Sequence, residues 1–350
     1  MVSWRDRRFL DLVGVERPIV QAPMAGAGGV ELCVAVMQGG ALGSLPCGML
    51  SPEQVRDQVR QVREQVSGPL NLNFFCHRMP ADTDDSAWRA LLQRYYDEFG
   101  VTRGNGGALR LPFDEAICAV VEELRPEVVS FHFGLPSDEL LDRVKRTGAV
   151  VIGNATTIEE AIWLERRGAD AIIAQGFEAG GHTGVFLGSD PAEALGLFAL
   201  LPQVADAVSV PIVAAGGIAD ARGIAAAFTL GASAVQLGTA YLHTPEARIS
   251  DVHRGRLNEG RTLFTNLMTG GLARGLQGRL IDDLGAVRSE APAYPLASAA
   301  LAPIRSAAEA KGEYGFGPMW AGQAAPLGAA SPAAELTRRL ATDALAILKR

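Results

Sequence analysis

The chain has 350 residues, 48% hydrophobic and 20% charged, which is enough apolar material for one large domain or two ordinary ones and carries no signature of disorder. Its formal net charge is −7 without a cluster of Lys or Arg, which argues against nucleic acid as the main partner. There is no run of 18 apolar residues to cross a membrane and no apolar core of a signal peptide after the charged start; Cys33, Cys47, Cys76 and Cys118 lack zinc-ligand spacing and read as reduced thiols of a cytoplasmic protein.

Pro18-Ile-Val-Gln-Ala-Pro-Met24 predicts a short strand stopped by Pro23, and Val30–Gln38 a helix closed by Gly39 and Gly40. Between them Gly26 and Gly28 fit the first two glycines of a dinucleotide fingerprint, but Glu31 stands where the third belongs. A second strand over Ala41–Ser44 precedes a helix with Ser51 as N-cap and Pro52 at its first position, running to about Val66. Leu70–Phe75 is the third strand. From Cys76 to about Arg110 the chain turns polar and irregular around a helix at Ser86–Phe99; this stretch reads as an insertion, either a lid or a homodimer contact. Then come a helix over Phe113–Leu124, a strand over Val128–Phe131, a helix over Ser137–Thr147, a strand over Ala149–Gly153 and a helix over Thr157–Arg167. The series ends with a strand over Ala171–Gln175, a helix within Pro191–Val208, a strand over Pro211–Ala215, a helix over Asp220–Leu230 and a strand over Ala234–Leu237. Eight short apolar strands alternating with helices predict an α/β fold of the (β/α)8 TIM-barrel type over residues 1–244, a doubly wound open sheet being the alternative. Residues 245–290 read as helical and more charged. An alanine-rich helix over Leu296–Lys311, a loop over Tyr314–Pro326 and a last helix over Ala333–Leu348 follow, so 245–350 is expected to form a helical C-terminal cap subdomain over one face of the barrel.

Barrel active sites form at the C-terminal ends of the strands. Here those ends carry Ala22, Pro23 and Met24; Asn71 and Asn73; His132; Gln175 with Gly180, Gly181 and His182; Gly216 and Gly217; and Gly238 and Thr239. The set is poor in carboxylates and metal ligands, which disfavours glycoside hydrolysis and metal-dependent hydrolysis, and rich in glycine and amides, which suits a large planar ligand held by backbone groups. Paired glycine signals after the seventh and eighth strands suit a phosphate. Of five histidines, His77, His243 and His253 fall outside the glycine motifs and read as structural or surface residues. His182, flanked by glycines and a threonine, is the acid/base candidate. Gln175 reads as a hydrogen-bonding group for a flavin edge, and Glu178 as structural.

Four blocks together resemble the nitronate monooxygenase family, class I bacterial type: Pro18–Met24, Ser130-Phe-His-Phe-Gly-Leu-Pro136, Ala174-Gln-Gly-Phe-Glu-Ala-Gly-Gly-His-Thr-Gly184 and Pro211–Asp220. The resemblance spans nearly the whole chain. It implies an FMN-dependent oxidation of alkyl nitronates, such as propionate 3-nitronate, by O2 to carbonyl compounds and nitrite, a nitroalkane-detoxifying chemistry. It also implies His182 as catalytic acid/base, His132 near the substrate, and FMN held by Ala22, Pro23, Met24, Asn73, Gln175, Gly180, Gly181, Gly216, Gly217, Gly238 and Thr239. The chain departs from the family at Gly271, where relatives usually carry arginine, and at Thr183, where they often do. Rival readings are an NAD(P)H-dependent flavin reductase of the same barrel type, acting on an enoyl thioester or quinone, and a non-redox phosphate-binding barrel.

Overall fold

The computed structural model describes residues 4–103, 109–188 and 193–350. The first three residues of the charged start, residues 104–108 of the predicted insertion and the predicted helix start at Pro191 lie outside the described residues.

In chain order the barrel half runs α1 (Arg8–Val13), β1 (Ile19–Gln21), α2 (Val30–Gln38), β2 (Gly43–Pro46), α3 (Pro52–Gln65), β3 (Leu70–Phe75), α4 (Ser86–Phe99), α5 (Glu115–Leu124), β4 (Val128–His132), α6 (Asp138–Arg146), β5 (Val150–Ala155), α7 (Ile158–Arg166), β6 (Ala171–Gln175), β7 (Gly181–His182), α8 (Leu197–Ala207), β8 (Ile212–Ala215), α9 (Ala221–Thr229) and β9 (Ala234–Leu237). The remainder is α10 (Thr239–Leu242), α11 (Asp251–Arg256), β10 (Thr262–Thr265), β11 (Ala273–Leu276), α12 (Arg279–Leu284), α13 (Ala297–Ala310) and α14 (Ala333–Leu348). Eight strands pair in parallel in the order β1-β9-β8-β6-β5-β4-β3-β2. The ring closes where Val20 meets Leu42: Gln21 N donates to Leu42 O at 2.9 Å and Leu42 N to Ile19 O at 3.0 Å. This is the predicted (β/α)8 barrel.

Period-2 alternation with both faces buried explains why the strands read as continuous apolar runs. In β6, Ala171 and Ile173 belong to the cluster inside the barrel, whereas Ile172 and Ala174 pack outward under the helices. Val213 and Ala215 of β8 repeat the pattern with Ile212 and Ala214. The interior cluster includes Phe9 and Val13 of α1, a helix not expected from the sequence, which closes that end of the barrel. The wall helices begin where their caps dictate. Ser51 and Gln54 form a reciprocal capping box at α3, and Asp114, Ser137, Thr157 and Asp220 each accept a backbone N–H at the start of α5, α6, α7 and α9. Each such cap contributes about 1 kcal/mol.

Beyond β9 the structure corrects the helical reading of residues 245–290. Only α11 and α12 are α-helices there; β10 and β11 form an antiparallel pair, and β11 also pairs with β7. Glycines at 260, 270, 271, 275 and 278 interrupt any helix, and Thr262-Leu-Phe-Thr265 supplies β-branched and aromatic residues that favour a strand. The segment Ser86–Phe99 is helical as predicted. As α4 it packs on α13 in a second core, where Trp88, Tyr95, Leu301, Ile304 and Phe316 are buried. α14 differs from its predicted role in a cap. It packs against α9 and α2, with Leu336, Leu340 and Ala344 in the main core, and so serves as the barrel's eighth wall helix.

Candidate active site

The C-terminal strand ends open into a cavity of about 480 Å³, roofed by segments 248–253, 305–309 and 314–324. Thirteen of the strand-end residues singled out from the sequence line it: Ala22, Pro23, Met24, Asn73, His132, Gln175, Gly180, Gly181, His182, Gly216, Gly217, Gly238 and Thr239; Asn71 does not, being buried with its Nδ2 donating to Ser44 Oγ at 3.0 Å. His253, read from sequence as structural or surface, is buried and also lines the wall, its Nε2 3.2 Å from Trp320 O. His77 and His243 are buried outside the lining, each with Nε2 facing a backbone carbonyl, of Arg110 and Ala325 respectively. Among the described residues no group of three His, Cys, Asp or Glu is placed to hold a metal ion.

His182 is held by a sheet, not by a free loop. It pairs with Ala273 across β7 and β11, and Thr183 N donates to Leu272 O at 3.0 Å. Beneath it, Gln175 spends its amide on bracing: Nε2 donates to His182 O at 2.9 Å, and Oε1 accepts from Gly184 N at 2.9 Å and Asn154 Nδ2 at 3.0 Å. The His182 ring lies in an aromatic cage, with centroids 5.1 Å from Tyr294, 5.5 Å from Trp320 and 6.2 Å from Phe133. Phe133 reaches this position from a backbone φ of 67°, a left-handed conformation that is strained for a bulky residue.

The hydroxyl of Thr269, a residue not singled out from the sequence, is 2.8 Å from His182 Nε2. Thr269 is buried, and its hydroxyl also lies 3.5 Å from Gly271 O, a much longer contact than the one to the ring. At 2.8 Å the hydroxyl donates to Nε2 or accepts from it, according to which ring nitrogen carries the proton. Nδ1 makes no hydrogen bond among the described residues and is not sealed from the cavity. Burial pushes the His182 pKa down to about 3, with further repulsion from Arg110, His132 and His77. Burial likewise pushes His132 down to about 4. Both rings are neutral at physiological pH, so His182 presents a lone pair, not a positive charge.

The rest of the cavity leaves no carboxylate free among the described residues. Its two carboxylates are engaged elsewhere: Glu178 accepts from Leu197 N at the start of α8, in line with a structural role, and Glu309 accepts from Arg305 Nε at 2.7 Å. Near the ends of β8 and β9, Thr239 Oγ1 accepts from Gly322 N at 2.9 Å and keeps its own proton for an acceptor. Gln236 Oε1, lining the same end, is buried and has no hydrogen-bond partner among the described residues. Gly180 is small for another reason. A Cβ there would stand 2.6 Å from Ala321 C and Gly322 N, where the roof backbone crosses the loop.

The family model described as nitronate monooxygenase matches residues 6–343. A nitronate monooxygenase of Paraburkholderia phytofirmans is 43% identical over 345 residues, covering 95% of this chain and 94% of that protein. One of Pseudomonas aeruginosa is 41% identical over 346 residues, covering 96% and 98%. Among solved structures, a nitroalkane oxidase from Streptomyces ansochromogenes superposes with a TM-score of 0.90 at 36% identity, covering 98% of this chain and 99% of that one.

Proposed function

The chain belongs to the nitronate monooxygenase family, a flavin-dependent family of oxidoreductases, and we propose that it binds FMN in this cavity and oxidises alkyl nitronates with O2 to carbonyl compounds and nitrite. The bound flavin supplies electron exchange between substrate and O2. The observation that carries the reading is His182: a neutral imidazole, anchored through Nε2 to the Thr269 hydroxyl, with Nδ1 open to a cavity that has no free carboxylate among the described residues.

In this reading the glycines at 216, 217 and 238 and the Thr239 hydroxyl hold the FMN phosphate, while Ala22, Pro23, Met24, Asn73, Gly180 and Gly181 flank the ring. Gln236 Oε1 accepts from a ring N–H, and the remaining amide hydrogen of Gln175 serves the ring edge. His182 Nδ1 removes the α-proton when the substrate arrives as the neutral nitroalkane, a general-base task. His132 and Phe133 close the substrate side and exclude water. Residues after 244, α14 excepted, roof the site. No helix among the described residues is long and apolar enough to cross a membrane, and four free cysteines suit the cytoplasm.

The test is an absorbance spectrum of the purified protein followed by anaerobic addition of ethyl nitronate and then of NADH. Flavin bands that bleach with the nitronate and respond slowly to NADH are expected. Rapid bleaching by NADH with no response to nitronate would transfer the protein to the flavin reductases, and a colourless protein that cannot be reconstituted would end the flavin reading.

A further inference from the structure

A nitronate is an anion, whereas the nitroalkane of the same skeleton is neutral, and a neutral His182 offers the anion no countercharge. Among the described residues three cations line the cavity: Arg110, Arg248 and Arg305. Arg248 pairs with Glu31 and Arg305 with Glu309. Arg110 has neither an ion pair nor a side-chain hydrogen bond among the described residues.

The position of Arg110 is fixed from its backbone. Its carbonyl lies 3.2 Å from His77 Nε2, and the His77 ring packs on Tyr294 at 4.8 Å. Arg110 is close enough to His182, Tyr294 and Arg305 for their charges to act on one another. Tyr294 Oη is buried without a hydrogen-bond partner among the described residues, and the Tyr294 ring is 5.1 Å from that of His182. A half-buried guanidinium with no ion pair, within electrostatic reach of a second cation, is unfavourable unless an anion meets it. A planar two-oxygen anion fits the guanidinium fork.

We propose that Arg110 is the oxyanion-recognition group of this cavity, and that it selects an anionic nitronate over the neutral nitroalkane of the same skeleton. Naming the anion rests on the functional reading above; recognition of a planar oxyanion does not. Nitrite, the product of that reading, is also a planar two-oxygen anion and competes for the same group.

The experiment uses the flavin-loaded protein and its Arg110→Met and Arg110→Lys variants, each first checked for flavin content and melting temperature. Inert, planar nitrate is titrated calorimetrically, and kcat/KM is measured for ethyl nitronate and for nitroethane. Loss of a charge-assisted fork is expected to weaken nitrate binding roughly tenfold or more in Arg110→Met, and to lower the nitronate-to-nitroethane ratio of kcat/KM by a similar factor. Arg110→Lys, which keeps the charge but not the fork, falls between. Nitrate affinity that is unchanged in Arg110→Met, or absent in the wild type, overturns the proposal, as does an equal fall for both substrates. A wild type that binds nitrate through Arg110 but turns over neither substrate keeps the anion site and removes the functional reading. Turnover with an unchanged ratio does the reverse.

Discussion

Replacing Thr269 by valine isolates the tautomer of His182 from the rest of the cavity. Valine matches threonine in shape, so the buried position stays filled while the 2.8 Å contact to Nε2 is lost. With Nδ1 as the proposed base, Nε2 carries the proton, and an imidazole N–H left without an acceptor costs about 1–3 kcal/mol. The ring can avoid that cost by moving its proton to Nδ1, which would take the lone pair out of the cavity. At about 1.4 kcal/mol per factor of ten, the base-dependent step should slow about 5- to 150-fold. The assay is steady-state oxygen consumption with nitroethane, which must lose a proton, against ethyl nitronate, which has already lost it. The ratio of the two kcat/KM values should shift toward the nitronate by about tenfold in Thr269→Val and much less in Thr269→Ser, which restores the acceptor. Equal losses on both substrates, or a serine variant as slow as the valine one, would show that Thr269 only packs against the histidine.

Other outcomes follow from the same geometry. His182→Asn should abolish nitroethane turnover while keeping bound FMN and part of the nitronate activity, and full nitroethane turnover would remove His182 from its role. Its pH dependence is a separate check. With folded-state values of about 3 for His182 and about 4 for His132, below an unfolded value near 6.5, the unfolded chain takes up protons that the native state does not. Stability is therefore full above about pH 6.5 and declines as pH falls toward 4, and the drop in melting temperature between pH 7.5 and 5 should be smaller in His182→Asn than in the wild type. Gly180→Ala, whose Cβ would press on Ala321 and Gly322, should displace the roof and lower the flavin-to-protein ratio at saturation; unchanged flavin content would refute the crossing argument. Trp88→Ala empties a fully buried site between α4 and α13 and removes the bond to Ala297 O, at a cost of about 3–5 kcal/mol in urea unfolding. A loss under about 1 kcal/mol would mean that the second core collapses to fill the space.

The barrel was legible because its signals are local. Each strand carries its own apolar run, many of the wall helices their own cap, and the cavity-lining glycines sit next to the strand ends in sequence. Ser51 with Pro52 announced α3, and the block from Ala171 to Gly184 announced β6 and the loop beyond it. What stayed hidden depends on contacts between distant segments. Thr269 acquires meaning only when β11 pairs with the His182 strand, 87 residues away, and nothing beside it in the sequence marks that pairing. Arg110 stood at the edge of a polar stretch, where a charged residue is ordinarily solvated. Gln236 opens the stretch Gln236-Leu-Gly-Thr239, in which Gly238 and Thr239 drew the attention instead. The short helix α1 carries too few residues for a periodic pattern, although Phe9 and Val13 close one end of the barrel.

The eighth wall helix arrives late. Between the end of β9 at Leu237 and the start of α14 at Ala333 lie roughly 95 residues that build the roof, so to the barrel the roof is one long connection. The entropy of closing a connection grows only with the logarithm of its length, and even doubling it costs about 0.6 kcal/mol. The part of the chain that carries Thr269, Tyr294 and Trp320 can therefore lengthen, shorten or be exchanged with little charge to the stability of the barrel beneath it. Part of the cavity wall thus comes from a stretch that the barrel strands do not need, and the two meet at β7, where β11 pairs with the strand of His182.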